Sequence, residues 1–230
     1  DALTDADHNV ALGVQALAVD SLGSRSVAIG AFALEAQAFT TATDTYNVAV
    51  GYDAGGNITT GIKNTVIGSL SGDALTDADF NTVVGMDALS SDTLGSRSTA
   101  IGVGALNAQN FTTATDSYNV AVGMNAGNVV TTGVQNTLIG GLAGDALTTG
   151  SQNVSIGYQA LSADDLGSHN VAIGANALSD MNFATATNSY NTAVGDQAGL
   201  RVTTGINNTI MGGLTGDALT TGSQNTFIGR

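Results

Sequence analysis

The sequence predicts an all-β protein, a parallel β-solenoid of 13 rungs. One five-residue phrase occurs 13 times in the 230 residues: Asn or Ser, Val or Thr, a variable residue, an apolar residue and Gly. Successive phrases start 17, 21, 17 and 17 residues apart, which makes a four-rung super-repeat of 72 residues. The chain has 31 Gly and neither Pro nor Trp, a composition that suits a narrow core better than a broad globular one. We call each phrase, together with the residue before it and the connection that follows it, a rung.

Each position of the phrase has its own predicted role. Alternation along a strand places the second and fourth positions on one face and the first, third and fifth on the other. The fourth is apolar in every rung, so we predict that it fills the interior. The third is usually Ala but varies in size, which predicts a looser interface, with another chain as one partner. The opening Asn is expected either to turn the corner or to stack in a ladder, and the closing Gly to need a positive φ or a corner without a Cβ.

Charge and composition narrow the functional classes. The formal net charge is -14, from 19 acidic and 5 basic residues, which argues against binding to nucleic acid or an anionic membrane. The basic residues are dispersed along the sequence, and most aspartates lie among Gly, Ser and Thr, so the acidity is expected to serve turns and solubility. Without Cys the chain has no disulfide or thiolate metal site. No apolar run approaches the roughly 20 residues of a membrane span, so we expect no direct membrane insertion in this segment.

The long second rung of each super-repeat supplies the candidate binding sites. Its four extra residues bring Phe and Tyr with an Asp or Asn between them, a combination that can stack on a sugar or contact another fibre. In the alternative interpretation the Phe covers the edge of the neighbouring rung and the Tyr closes the loop. The candidate ligand or lateral-contact residues are Phe39, Asp44, Tyr46, Phe111, Asp116, Tyr118, Phe183, Asn188 and Tyr190.

The phrase also carries a family resemblance. Ser26-Val27-Ala28-Ile29-Gly30 and its Asn-initiated versions, most of them followed by two residues and Ala, resemble the head repeats of YadA-like trimeric autotransporter adhesins. They are also similar to Asn-Thr-Ala-Val-Gly-Tyr-x-Ala-Leu arrays of phage tail fibres. The resemblance covers all 13 rungs but departs in period, since the adhesin heads use a shorter repeat. It implies a left-handed β-roll with three chains side by side, a homotrimer at a bacterial or viral surface.

Enzymatic and ice-binding functions are the less favoured interpretations. The two histidines, His8 and His169, align with unlike residues in the other super-repeats, so we predict exposed turn positions without a catalytic role. Ile-Gly-x-x-Ala-Leu matches one hexapeptide of the left-handed β-helix acyltransferases, which usually carry three per coil. The Thr-Thr-Gly turns invite an ice-binding function, but two of every four rungs interrupt the threonine column.

The aspartates suggest a weak calcium hypothesis and otherwise no cofactor. Asp73, Asp77 and Asp79 fall close together in one turn, and Ca²⁺ takes six to eight oxygen ligands. The same three acids occur as Asp1, Asp5 and Asp7, but the other two equivalent turns keep only the first of them, as Asp145 and Asp217. A solvated turn is therefore the favoured interpretation.

These observations predict a non-catalytic, extracellular rod. We expect residues 1–230 to form one elongated domain, an excerpt of a longer fibre protein whose targeting and anchoring segments lie outside it. The predicted function is a structural and adhesive segment of a cell-surface or virion fibre that presents repeated weak sites to a host glycan or surface receptor. The alternative is a purely structural extracellular filament or sheath subunit, which self-associates without a specific ligand.

Overall fold

The computed structural model describes residues 6–229, and their regular structure consists of short β-strands with no helix. The chain divides into two compact units, residues 1–117 and 118–230. Within the described part of the chain no helix is long and apolar enough to cross a membrane. The expectation of a single domain stays a prediction.

Nineteen strands of two or three residues follow one another. In the first unit they are β1 (Val10–Leu12), β2 (Gly23–Ser24), β3 (Val27–Ile29), β4 (Thr43–Asp44), β5 (Val48–Val50), β6 (Thr65–Ile67), β7 (Thr82–Val84), β8 (Gly95–Ser96), β9 (Thr99–Ile101) and β10 (Thr115–Asp116). In the second unit they are β11 (Val120–Val122), β12 (Thr137–Ile139), β13 (Val154–Ile156), β14 (Gly167–Ser168), β15 (Val171–Ile173), β16 (Thr187–Asn188), β17 (Thr192–Val194), β18 (Thr209–Met211) and β19 (Thr226–Ile228).

Each three-residue strand holds positions two to four of a phrase and pairs in parallel with the next. The first unit stacks β1, β3, β5, β6, β7 and β9 in that order, and the second stacks β11, β12, β13, β15, β17, β18 and β19. Equivalent positions always face each other, as where Ala28 pairs with Ala49 and Ala49 with Val66. The predicted parallel β-solenoid of about 13 turns is therefore confirmed.

The inward and outward faces of the strand, however, are exchanged relative to our prediction. The third position points inward: Ala28, Ala49 and Val66 are each 0% exposed. The fourth position points outward, and Ile67 and Ile101 are 38% and 37% exposed. The interior therefore takes the variable column, and the invariably apolar column lies on the outer face. Both columns are apolar, so hydrophobicity gives the alternation but not its direction.

The opening Asn explains why the third position is inside. Asn47 is fully buried on the same face; its Nδ2 donates to the Gly61 carbonyl at 2.7 Å and its Oδ1 accepts the backbone N–H of Asn64 at 2.9 Å. Asn64 and Asn81 repeat the arrangement one rung further on. This buried ladder satisfies corner groups that would otherwise lack partners, so the first and third positions must face inward together. The predicted ladder is confirmed, whereas the positive φ at this corner belongs to the residue before the Asn, as at Lys63 with φ 59°.

Two features close the core around this ladder. An Ala-Leu pair follows six of the 13 phrases, and one such pair, Ala33 with Leu34, is fully buried and fills the interior opposite the strand. Gly68 has φ +136°, and a Cβ there would lie 2.6 Å from the Gly85 carbonyl oxygen. The closing Gly thus meets both predicted requirements, a positive φ and a crowded corner.

Candidate functional site

The predicted bulge residues separate into buried and exposed sets. Phe111 and Phe183 are only 6% and 5% exposed, and Phe39 is half-buried. The backbone N–H of Phe111 donates to Asp92 Oδ1 at 3.0 Å, and its ring lies against Gly95. These phenylalanines therefore anchor the bulge to the core, as the alternative interpretation expected.

The tyrosines of the bulges lie on the surface. Tyr46, Tyr118 and Tyr190 are 49%, 51% and 52% exposed, and each has a φ of 50° to 53°. This left-handed backbone conformation is uncommon for residues other than Gly and turns each ring outward just before the buried Asn. About half of each tyrosine is therefore open to solvent.

In the first bulge the exposed residues contact Arg25, a basic residue that was not among the predicted site residues. Arg25 Nε lies 2.9 Å from Asp44 Oδ1, and the Tyr46 hydroxyl donates to Asp44 Oδ2 at 3.4 Å. The guanidinium carbon of Arg25 is 5.8 Å from the centre of the Tyr46 ring. The hydrogen bond to Asp44 and that carboxylate's charge raise the pKa of Arg25. We call the Arg, Asp and Tyr of such a group a surface triad.

Two further triad positions recur at 72-residue intervals. Arg97 Nε lies 3.0 Å from Asp116 Oδ2, which repeats the ion pair of the first triad. At the third position His169 replaces the Arg, and its ring stacks on Tyr190 with centroids 4.8 Å apart and an interplanar angle of 15°. Asn188 replaces the Asp there. The Arg and Asp thus change together, so the third triad keeps an aromatic stack without the ion pair.

The spacing of the basic residues was a signal for the triads. Arg25, Arg97 and His169 are each 72 residues apart, and each precedes its Asp or Asn by 19 residues. We predicted exposed turn positions for His8 and His169 because each aligns with unlike residues in the other super-repeats. The contact itself joins residues 19 positions apart, which no local pattern shows. The turn assignment for His8 and His169 fits their exposed and half-buried positions, but His169 belongs to a repeated contact.

Each long rung also contains a buried polar cluster. Gln37 Nε2 donates to Asp20 Oδ2 at 2.6 Å and to Ser26 Oγ at 3.0 Å, and Asn47 Nδ2 donates to Gln37 Oε1 at 2.8 Å. All four side chains are fully buried. Gln109 makes the same bonds to Asp92 and Ser98, at 2.6 and 2.8 Å. The predicted turn role holds for these aspartates, since Asp20 Oδ1 accepts the backbone N–H of Gly23 at 3.0 Å. Because they are fully buried, they do not serve solubility.

The third cluster lacks its central donor. Met181 occupies the position of the glutamines, and Asn191 Nδ2 donates to its Sδ at 3.3 Å. Asp164 Oδ2 is buried and has no hydrogen-bond partner among the described residues. Burial, together with the charge of Asp165, raises the pKa of Asp164 to about 6. The pKa of Asp92 is also raised by burial, although Gln109 partly offsets the effect.

The aspartates of the calcium hypothesis contact the neighbouring rungs. Asp77 Oδ1 accepts the Thr60 hydroxyl at 2.6 Å, and Asp79 Oδ1 accepts the backbone N–H of Ile62 at 2.7 Å. Across residues 6–229 no group of three or more His, Cys, Asp or Glu side chains is arranged to hold a metal ion. Calcium binding at Asp73, Asp77 and Asp79 remains a hypothesis.

The surface triads thus combine an exposed ring with polar groups on a rigid ladder, an arrangement suited to binding a partner. Searches among protein-family models, curated proteins and solved structures found no match to this chain.

Proposed function

We propose that this chain is a non-catalytic structural and adhesive segment of an extracellular fibre at a cell or virion surface, in which three copies associate as parallel, left-handed β-rolls. The observation that carries the proposal is the outer face of the strands. In each unit this face presents a column of Val and Thr, the second positions, beside a column of mostly Ile and Val, the fourth positions. A protein surface of this kind calls for a covering partner.

A second copy fits this face best because the face repeats with the rungs themselves. Met211 is 44% exposed and Ile139 37%, so large side chains of every super-repeat remain open to solvent. β-branched side chains at a regular spacing of about 4.8 Å offer a flat, stiff surface that interdigitates with an identical one. Association would remove this apolar area from water, at roughly 25 cal/mol per Å².

Hydrodynamic mass tests the association directly. Sedimentation equilibrium of the soluble segment should give three times the chain mass of 22.8 kDa. The double variant Ile67→Glu with Ile101→Glu should be monomeric and keep the circular dichroism of the folded chain, since both side chains point outward. A matched pair of exposed substitutions outside the face, Thr41→Glu with Thr113→Glu, should leave the trimer intact. A monomeric wild type at all concentrations would refute the proposal.

The surface triads are the proposed weak sites of this rod. Each presents an exposed Tyr beside a hydrogen-bonding Asp or Asn, and their repetition would turn weak contacts with a glycan or surface receptor into avidity. Binding to a glycan array should fall when Tyr46, Tyr118 and Tyr190 are all replaced by Ala. Unchanged binding would remove the triads from this role. Nucleic acid is not proposed as a partner, because the chain is strongly acidic.

One observation favours the alternative, a filament or sheath subunit without a ligand. Arg25 lies over the Tyr46 ring, and His169 stacks on Tyr190, so these ring faces already have an intrachain partner. A chain without ligand binding that forms open-ended polymers in sedimentation velocity would fit the filament better than the adhesin.

A further inference from the structure

Two surface columns border the apolar face of the first unit, one at each end of its strands. The leading column comprises the residue just before each phrase, and the trailing column the residue two positions after each closing Gly. Both have positive φ, for example 59° at Lys63 and 55° at Asp53. Backbone hydrogen bonds join each column residue to the preceding rung, so both columns repeat with the spacing of the rungs. The Lys63 N–H donates to the Thr45 carbonyl, and the Asp53 N–H donates to the Ala31 carbonyl.

The leading column of this unit alternates cations and aromatic rings. Arg25, Lys63 and Arg97 occupy the second, fourth and sixth rungs, so they are about 10 Å apart along the column. Tyr46 and Phe80 lie between them, with Lys63 Nζ 4.9 Å and Arg97 Cζ 4.7 Å from the centre of the Phe80 ring. Three of the five basic residues therefore form one stripe, although the sequence had shown them dispersed.

The trailing column carries the opposite charge, displaced by one rung. Asp53 and Asp87 occupy the third and fifth rungs, and Asp73 lies close enough for their charges to act on it. Burial, and then repulsion from Asp53 and Asp87, raise the pKa of Asp73. None of these three carboxylates forms an ion pair within the described chain. Six residues of a rung, the five of the phrase and one more, lie between the two columns. Five extended residues alone span about 17 Å, so Lys63 cannot neutralise these acids within its own chain.

The second unit, considered by itself, is uncharged in both columns. Its leading column holds Tyr118, Gln135, Gln152, His169, Tyr190, Asn207 and Gln224, and its trailing column holds Asn125, Leu142, Gln159, Asn176, Gln197 and Leu214. Charges thus occur in both columns of one unit and are replaced mainly by amides in both columns of the other. Two columns that are distant within a chain but matched in charge are best explained by contact between chains.

We propose that the leading column of one copy packs against the trailing column of the next, with Lys63 seated between Asp53 and Asp87 of the neighbouring copy. This inference rests on the proposed parallel homotrimer. A threefold axis parallel to the stacking direction of the rungs places the leading edge of one apolar face beside the trailing edge of the next. Cations on even rungs then interdigitate with acids on odd rungs. The contact sets the parallel orientation and the register of the chains, which the uniform apolar columns cannot set alone.

A charge exchange in the full chain tests the contact. Lys63→Glu should weaken trimer formation by about tenfold or more, because it places like charges together at three equivalent contacts. Adding Asp53→Asn and Asp87→Asn in the same chain should recover assembly, since Glu at position 63 then lies between two amides, and Arg25 and Arg97 of the neighbouring copy meet no new like charge. Arg201→Glu makes the same change in net charge at an exposed site outside both columns and serves as the control.

Sedimentation equilibrium at low and high salt gives the result. The inference is supported if Lys63→Glu forms the trimer more weakly than Arg201→Glu does, and if the triple variant regains the association of the wild type. High salt should also reduce the difference in association between the variants. It is overturned, with the homotrimer left standing, if the wild type is trimeric and Lys63→Glu behaves like Arg201→Glu or the triple variant stays weak. A monomeric wild type overturns the homotrimer and this contact together.

Discussion

Replacing Met181 with Gln should stabilise the second unit by supplying the hydrogen bond that Asp164 lacks. Gln37 and Gln109 show the expected geometry, since each donates at 2.6 Å to the buried Asp of the preceding rung. The new Oε1 would also accept the Asn191 amide, which now donates to the Met181 sulfur. The side chains of Met and Gln are similar in length and volume, so the substitution introduces a polar group without creating a cavity.

The raised pKa of Asp164 sets the size of the effect. A rise from 3.8 to about 6 means that the ionised carboxylate destabilises the folded state by about 3 kcal/mol at neutral pH. The destabilisation is absent below the unfolded pKa, grows between pH 4 and 6, and is complete above the folded pKa. A hydrogen bond to a charged group contributes about 1.5–3 kcal/mol. Met181→Gln should therefore stabilise the unit by about 2 kcal/mol at pH 7.5 and by much less near pH 4.

Urea unfolding at pH 4, 5, 6 and 7.5, at one protein concentration because association affects stability, measures both effects. Met181→Leu controls for loss of the thioether, and Gln109→Met should create the same defect around Asp92 in the first unit. The reasoning fails if Met181→Gln is no more stable than Met181→Leu at pH 7.5. It also fails if both variants lose stability equally as the pH rises from 4 to 7.5.

Two further substitutions test the rung itself. Asn64→Ala should destabilise the first unit by about 2–4 kcal/mol, because it removes the hydrogen-bond partners of the Ala78 carbonyl and the Asn81 N–H, now at 2.7 and 2.9 Å. Urea unfolding measures this loss, with Thr65→Ala as the control. Equal losses of stability in the two variants would contradict the role of the Asn ladder. Val66→Thr should cost about 1–3 kcal/mol by placing a hydroxyl in the interior, while Ile67→Thr should change the unfolding of the isolated chain by less than about 0.5 kcal/mol. If Ile67→Thr destabilised the chain more than Val66→Thr, the fourth position and not the third would face the core.

The repeated phrase predicted most of the fold, because backbone requirements repeat with it. A Gly in all 13 rungs predicted the crowded corner with positive φ that Gly68 shows. The opening Asn predicted the ladder, and the two-residue alternation assigned the positions correctly to two faces. The bulges were predicted as candidate binding sites. Their tyrosines are exposed, whereas Phe111 and Phe183 are buried.

The sequence by itself determined the rungs, their spacing and the residues at each corner, because these depend on local backbone geometry and on a period that can be counted. Only the tertiary structure decided which face is inside, since that depends on where the buried Asn and the Ala-Leu pair close the coil. It also decided which residues meet across rungs. Arg25 reaches Asp44, and Met181 leaves Asp164 without a donor, because the coil brings residues 17 or 19 positions apart into contact.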